Sequence, residues 1–491
     1  MFVCAGVVKS YQGVGAGFPG DAGTDASTCA RINSAMRAEY LYLLKWMALP
    51  NSAGGERRYT RTRYNIADGG RNYNNKQKGG IILGIMKYIT VFAVLALVLA
   101  SGCVTPSDEE VKIGTLLPLT GDLAAYGGPM EDGARLAVKE VNENGGVLGG
   151  KITLVTTDSQ TSGVAAVGAM NQLATVDKVS AVIGAAGSGV SLAVIGIAVN
   201  NRIVQISPSN TAPDFTTYPD DGFYYRTVPS DALQGKAMAK LANESGYANV
   251  STFVLNNPYG VGFEEVFKEE FEKLGGTVID RVKYDPSGVT FDSEVDKVSA
   301  SNPEVIILVG YPDTGSIILK AAYEKGAMDE IDWLLSEGMR TDELALKVGK
   351  TARGNYIVAN FTGTTPDPRA TGPAYDVFAA DYVAEFGREP ATFSSNTYDA
   401  AAIIALAIEK AGSADGTAIR DAIPDVANAP GEEVSDIGTA LALIRNGTEI
   451  NYQGASGEIT FDSVGDVFGD YCTWQITEDG NVTLGESIAV E

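Results

Sequence analysis

Three short stretches carry residue types that can do chemistry. Ser188-Gly189-Val190-Ser191 and Ser209-Asn210-Thr211-Ala212-Pro213 each follow a short apolar run and lead toward a helical or turn-like one. Backbone N–H groups free at a helix N-terminus, helped by Ser or Thr hydroxyls, bind carboxylates and other anions. Plain helix capping uses the same groups, with Thr211 read as an N-cap before a first-turn Pro213, so spacing alone leaves both readings open. Glu337, in Leu335-Ser336-Glu337-Gly338, stands just past a strand-like run. Ligands bind at the carboxyl ends of strands in such sheets, and a carboxylate there can neutralise a cation. The competing reading is one more surface acid in an acidic chain. Tyrosines number 22; each supplies rigid apolar area with a hydroxyl, and each can equally be ordinary packing.

What is missing narrows the chemistry further. The 491 residues include no histidine, which excludes Ser-His-Asp and Cys-His nucleophiles, His-ligated zinc and imidazole acid–base catalysis. A hydrolase would then need a Ser–Lys pair or paired carboxylates. No SxxK motif stands in a fitting context and no GxSxG elbow is present. An enzyme is therefore not expected. The glycine-rich piece Gly184–Gly189 lacks the full GxGxxG and the GxxxxGK of a phosphate loop. No CxxC pair suggests zinc or an iron–sulfur cluster, and no cofactor is expected. A net charge of −24 disfavours nucleic acid, whose phosphates need Lys and Arg. The apolar fraction of 45% describes a globular chain, long enough for about three domains.

The elements that must position these residues alternate. Val111–Leu117, Lys151–Thr157, Ser180–Gly184 and Arg202–Ile206 read as strands, with helices over Gly133–Val141 and Gly163–Val176. The pattern restarts with strand-like Val250–Leu255, Pro303–Val309, Trp333–Leu335 and Asn355–Ala359, and helices at Phe263–Leu274 and Thr314–Glu324. Helical Tyr375–Phe386 and Thr397–Ala411 come next. Ile459–Phe461 and Tyr471–Ile476 read as paired strands around Asp462–Asp466. Strands alternating with helices predict parallel sheets covered on both faces. Two such sets in succession predict an α/β protein of two doubly wound lobes around one cleft, hinged near Arg226–Pro229 and Asn360–Thr365.

The N-terminal part is a different polypeptide. Residues 1–85 carry a charge balance of +6, whereas 103–491 carry −31. Met86-Lys87-Tyr88, the apolar run Ile89–Leu99 and Ala100-Ser101-Gly102-Cys103 have the layout of a secretory signal. The Cys after Ser-Gly resembles a lipoprotein lipobox, whose thiol is acylated and becomes the new N-terminus. A buried helix or a retained membrane anchor is the competing reading, although the run is short for a span of ~20 residues. A signal belongs at an N-terminus, so 1–85 is expected to be an extension upstream of the true start at Met86. Residues 86–102 would be the signal and 103–110 a linker. Cys472 is alone in the mature body, which can then form no internal disulfide. Five Asn-x-Ser/Thr sequons, at Asn243, Asn249, Asn360, Asn446 and Asn481, fit an exported chain, though such short motifs arise readily by chance.

A series of motifs runs in order along the body. Ile113-Gly-Thr-Leu-Leu-Pro-Leu-Thr-Gly121, Ala124-Ala-Tyr-Gly127 and Gly133-Ala-Arg-Leu-Ala-Val138 open it. Asn142-Glu-Asn-Gly-Gly146, Val182-Ile-Gly184, Ile206-Ser-Pro-Ser-Asn-Thr-Ala-Pro213 and Asn257-Pro-Tyr-Gly260 continue it. Ile450-Asn-Tyr-Gln-Gly-Ala-Ser-Gly457 and Phe461-Asp-Ser-Val-Gly-Asp466 close it. Taken together the series resembles the Leu/Ile/Val-binding protein family, the extracytoplasmic receptors of branched-chain amino acid ABC transporters. The resemblance covers about 110–480, and it implies a type I periplasmic-binding-protein clamp with three interlobe crossings. Lobe 1 would be 111–229 plus 361–453, and lobe 2 would be 230–360 plus 454–491. The positions of the disulfide found in many members fall on Thr161 and Gly187.

For the site, the resemblance implies that Ser188, Ser209 and Thr211 contact the ligand's carboxylate and ammonium, Ser209 through its backbone carbonyl. Glu337 would meet the ammonium, and Tyr126, Tyr259 and Tyr311 would close the pocket. It implies a free amino acid as ligand, branched-chain or related apolar, with amides or urea as alternatives. Expected partners are an ABC permease and its ATPase, with the membrane reached through lipidated Cys103 on the outer face of the cytoplasmic membrane. A monomer is expected, and no nucleic acid. A sensory receptor of the same fold is the alternative to transport.

Overall fold

The computed structural model describes residues 110–490. The expected extension 1–85, the signal 86–102 and the lipidation site Cys103 lie outside the described residues. The first half is built from β1 (Val111–Leu117), α1 (Ala124–Glu143), β2 (Ile152–Asp158), α2 (Gly163–Gln172), β3 (Ala181–Gly184), α3 (Ser188–Asn201), β4 (Val204–Ser207) and β5 (Tyr224–Arg226). These strands form a wholly parallel sheet in the order β2-β1-β3-β4-β5. β3 and β4 are buried along their whole length, as parallel strands covered on both faces must be.

The next stretch supplies α4 (Asp231–Glu244), β6 (Asn249–Leu255), α5 (Pro258–Lys273), β7 (Thr277–Tyr284), α6 (Asp292–Ser299), β8 (Val305–Val309), α7 (Pro312–Glu324), β9 (Asp332–Leu335), α8 (Glu343–Val348) and β10 (Thr362–Pro366). The chain then adds α9 (Pro373–Phe386), α10 (Ser394–Ala411), α11 (Gly416–Ala427), β11 (Glu432–Val434), α12 (Ile437–Arg445) and β12 (Ile450–Tyr452), and ends with β13 (Tyr471–Ile476) and β14 (Val482–Ile488). The second sheet runs β14-β13-β10-β9-β8-β6-β7. It is parallel from β7 to β10, and β13 and β14 are antiparallel at the other edge. Helices α9 to α12 return to the first sheet, where Ile403, Ile404, Ile419 and Leu441 share a core with Ile113, Ile183 and Ile206.

Several sequence expectations need correction. The first helix starts at Ala124, nine residues before the expected Gly133. Gly127 and Gly133, both inside this helix, are packing positions. A Cβ on Gly127 would lie 2.1 Å from the Pro118 carbonyl oxygen, and one on Gly133 would lie 2.3 Å from that of Ser394. Asn355–Ala359 is not a strand; only an isolated bridge, Lys350 with Tyr356, forms there. Ile459–Phe461 is no strand either, because Ile459 and Phe461 point into the first sheet's core. Tyr471–Ile476 pairs instead with β10 and β14.

The expected hinge at Asn360–Thr365 falls on β10, a central strand of the second sheet, so the boundary at 361 moves past Pro366. The boundary at 454 moves as well, since Ala455, Ile459, Phe461 and Val467 pack with the first core. The chain passes between the sheets after Arg226, after Pro366 and ahead of Tyr471. Among the described residues no helix is long and apolar enough to cross a membrane.

Candidate functional site

Both sheets reverse strand order once. In the first, the chain goes from β1 outward to β2 and then back across to β3; in the second, from β6 to β7 and then to β8. Such reversals open a crevice at the carboxyl ends of the strands on either side. The residues after β1, β3 and β4 and those after β6, β8 and β9 meet in one cavity of about 330 Å³. Leu123, Tyr126 and Met130 reach it from behind β1, and Ala186, Ser188 and Ser209 from behind β3 and β4. Tyr259, Tyr311, Glu337 and Gly338 face them from the second sheet, and Phe393 closes a side.

The first wall is built from helix-end chemistry. Ser188 is the first residue of α3, capped by Gly187 without a side-chain bond. Gly187 O accepts the N–H groups of Val190 and Ser191, which leaves those of Ser188 and Gly189 without an intrahelical acceptor. Ser188 Oγ accepts the Ala212 N–H at 3.4 Å, and Ser209 Oγ donates to Ala186 O at 3.0 Å. Thr211 is not the cap expected of it. Pro213–Thr217 is a single 3₁₀ turn with Ala212 at its cap position, so the Thr211 hydroxyl is not used there. It is buried beside the Asp231 carboxylate, without a well-formed hydrogen bond. The expected disulfide positions hold other roles: Thr161 Oγ1 accepts the Leu123 N–H at 3.1 Å, and Gly187 caps α3.

The second wall is aromatic and acidic. Tyr259 and Tyr311 stack with centroids 5.6 Å apart and planes 5° from parallel. Tyr259 OH donates to Ser336 Oγ at 2.8 Å, and Asn257 Nδ2 donates to Tyr311 OH at 3.5 Å. Glu337 is 2% exposed and accepts from Gln234 Nε2 at 2.6 Å. Burial pushes its pKa up to about 7. The two walls touch: Tyr126 OH donates to Gly338 O at 3.1 Å, and the Asp122 carboxylate accepts both the N–H and the hydroxyl of Thr314 at the start of α7.

Six of the seven expected residues thus line one cavity; Thr211 is buried behind it. Leu123, Met130, Ala186 and Phe393 were missed, and they make the cavity apolar on one side. Phe393 adopts φ +68°, in the left-handed region, at the start of α10, and nothing in its sequence neighbourhood announces it. Asp231 was missed as well. It opens α4, its N–H donates to Thr211 O at 2.7 Å, it is fully buried, and its carboxylate has only the Thr211 hydroxyl beside it, without a well-formed hydrogen bond. Burial first, and the charge of Glu337 second, push its pKa well above the usual carboxylate range. The Ser230 cap on the Ala232 N–H is the sequence signal that could have revealed this helix and its acid.

The arrangement can hold a small molecule with both charges. Free N–H groups and hydroxyls on one wall suit a carboxylate, buried acids opposite suit a cation, and the apolar side suits a hydrocarbon group. Among the described residues no three His, Cys, Asp or Glu side chains converge as metal ligands would.

Comparison with known proteins agrees with this fold. The family model for periplasmic binding proteins matches residues 110–453. A Leu/Ile/Val-binding protein of Rhizobium johnstonii is 26% identical over 401 residues, 81% of this chain and 100% of its own length. A substrate-binding protein of a chemotactic signal transduction system in Halobacterium salinarum is 27% identical, covering 76% of this chain and 89% of its own. The crystal structure of a leucine-binding protein from Thermotoga maritima superimposes with a TM-score of 0.66 at 28% identity, covering 77% of this chain and 98% of that one.

Proposed function

The chain belongs to the periplasmic binding protein family, and from that premise we propose that it is an extracytoplasmic receptor for a branched-chain or related apolar amino acid. It captures the ligand by closing its cleft and delivers it to an ABC permease, and Cys103 carries the lipid that holds it at the outer face of the cytoplasmic membrane. The observation that carries this reading is the pairing of opposite chemistries in one cavity: α3's free N–H groups with Ser188 on one wall, Glu337 on the other, and Leu123, Met130 and Phe393 beside them. The α-carboxylate lies against the first wall, the ammonium against Glu337, and the side chain among the apolar residues. A neutral amide or urea would leave the buried acids without a counter-charge, which favours a zwitterion.

A thermal-shift screen of the twenty amino acids, acetamide and urea tests the ligand class. A ligand at ~100 times its Kd stabilises by ~2.7 kcal/mol, so leucine, isoleucine or valine should raise the melting temperature by several degrees. A response to amides alone would contradict the reading. The Halobacterium relative's place in a chemotactic system favours signalling, in place of delivery, as the second reading of the step after capture. Cross-linking of the closed receptor to membranes of its own cell, with the permease recovered, separates delivery from signalling.

A further inference from the structure

A second, partly open cavity also has Phe393 in its lining. Its wall includes Arg340, Thr365, Tyr375, Ser395 and Ser456, and no Asp or Glu contributes to it. That is unexpected around an arginine in a chain with 61 acidic and 37 basic residues. Arg340 makes no ion pair among the described residues, and its Nε is enclosed without an acceptor. Asp342, two residues on, turns its carboxylate to the Val482 N–H at 2.9 Å instead. Thr365 Oγ1, on the same wall, is also buried without a partner.

A guanidinium in this position is costly. An arginine cannot shed its proton to escape burial, and a partly buried charge without a counter-charge is unfavourable. Burial is the first-ranked influence on Arg340 and pulls its pKa below the ordinary value, the direction expected of a cation short of a counter-charge. The fold answers this need elsewhere: Arg226 receives both oxygens of Asp466. Around Arg340 it supplies hydroxyls and a phenol ring and leaves space.

We propose that the Arg340 cavity is an oxyanion-binding site, in which a small carboxylate or phosphate seats on the guanidinium fork and accepts a further bond from the Thr365 hydroxyl. The planar fork matches two coplanar oxygens, which selects an oxyanion over a halide. Two sources share that chemistry: a free anion from solution, or the distal carboxylate of an acidic amino acid whose head group occupies the first cavity. The site stands on Arg340 and Thr365 alone, and the free-anion arm of its test does not depend on which ligand fills the main cleft.

The test is thermal unfolding of the full chain while sodium acetate or sodium phosphate replaces sodium chloride at constant ionic strength, with a parallel titration by L-glutamate. Wild type should show a saturable rise in melting temperature that R340Q lacks. R340K keeps the charge, and so protects folding, but loses the fork; its half-saturating concentration should rise about tenfold. A response to acetate or phosphate assigns the free-anion source. A response to glutamate alone, weakened at least tenfold in R340K, assigns the distal carboxylate. Identical curves for wild type and R340K with all three probes, or a rise in wild type that R340Q shares, overturn the proposal, since the effect would then belong to the general surface.

Discussion

Arg226 and Asp231 stand five residues apart in the chain and end in opposite conditions. Arg226 is fully buried and saturated: Nε and Nη2 reach the two oxygens of Asp466 at 2.6 Å each, Nη1 reaches Asn210 O and Ala212 O, and Nη2 also meets Thr216 Oγ1. Asp231 is fully buried as well, yet its carboxylate has no cation and no well-formed hydrogen bond, only the Thr211 hydroxyl beside it, and a second buried acid, Glu337, raises its pKa further. The first group ties the loop carrying Ser209 and Thr211 to the segment around Asp466. The second feels the charge of Glu337, which lines the cleft. Where the chain needs a fixed joint it completes the hydrogen bonds itself, and where a ligand is to arrive it leaves them open. Asp399 makes the same point from the joint side, with bonds from the Ala455 and Ser456 N–H groups, the Ser456 hydroxyl and the Tyr452 phenol.

The contrast can be broken most forcefully at the joint. D466N leaves Arg226 buried without its counter-ion, and breaking one partner of a buried pair typically costs ~3–5 kcal/mol. Urea unfolding should show a loss of that size. A loss under ~1 kcal/mol would mean the joint is not what holds this loop.

Ser188 sharpens the contrast, because its hydroxyl already accepts one bond within the protein, from the Ala212 N–H. S188A should weaken ligand binding by about 1–3 kcal/mol, since the backbone donors of α3 remain. Calorimetry that finds no change would place the carboxylate away from α3.

A smaller effect separates the two regions by pH. Glu337 has its pKa raised from 4.5 to about 7, so at pH values between these the folded chain holds a proton that the unfolded chain has released. Unfolding then releases protons, and stability falls as pH rises through that window. Removing the titrating group in E337Q should therefore flatten the apo protein's melting curve against pH from 5 to 8. Asp399 and Glu140 are also raised, to about 6 and about 7, and contribute the same slope to both proteins. The difference between wild type and E337Q reports Glu337 together with Asp231, whose pKa the Glu337 charge helps raise; parallel curves would show that neither carboxylate is desolvated.

The parts of this design legible in sequence reflect its physics. β1, β3 and β4 are short apolar runs bounded by Gly, Ser or Pro, and parallel burial demands such runs. β7 and β14 escaped notice because edge strands mix charged and apolar residues, as Thr277–Tyr284 does with Asp280, Arg281 and Lys283. Ser188, Ser209 and Glu337 could be picked out because they follow strand-like runs and the family resemblance gave them roles, whereas Tyr126, Tyr259 and Tyr311 came from the resemblance alone. Phe393 and Arg340 could not, and for Asp231 the Ser230 cap marks the helix but not the role, since what distinguishes the three is a left-handed backbone, an empty neighbourhood and an unmet hydrogen bond. None of these is a property of residue type or spacing. β10 was misplaced for a related reason: Thr-Gly-Thr-Thr-Pro reads as a turn, and only its pairing with β9 and β13 makes it a central strand.

Recognition turns most directly on Glu337 meeting the cationic end of an apolar amino acid. Titrating leucine by calorimetry into wild type and E337Q at pH 8 tests that. Gln keeps the shape and leaves the ammonium without its counter-charge, a loss of ~3–5 kcal/mol, or two to three and a half decades in Kd at ~1.4 kcal/mol per decade. E337Q should lose at least ~100-fold in affinity while its melting temperature without ligand stays level or rises. Equal affinities in the two proteins, at measurable binding, would contradict the role given to Glu337.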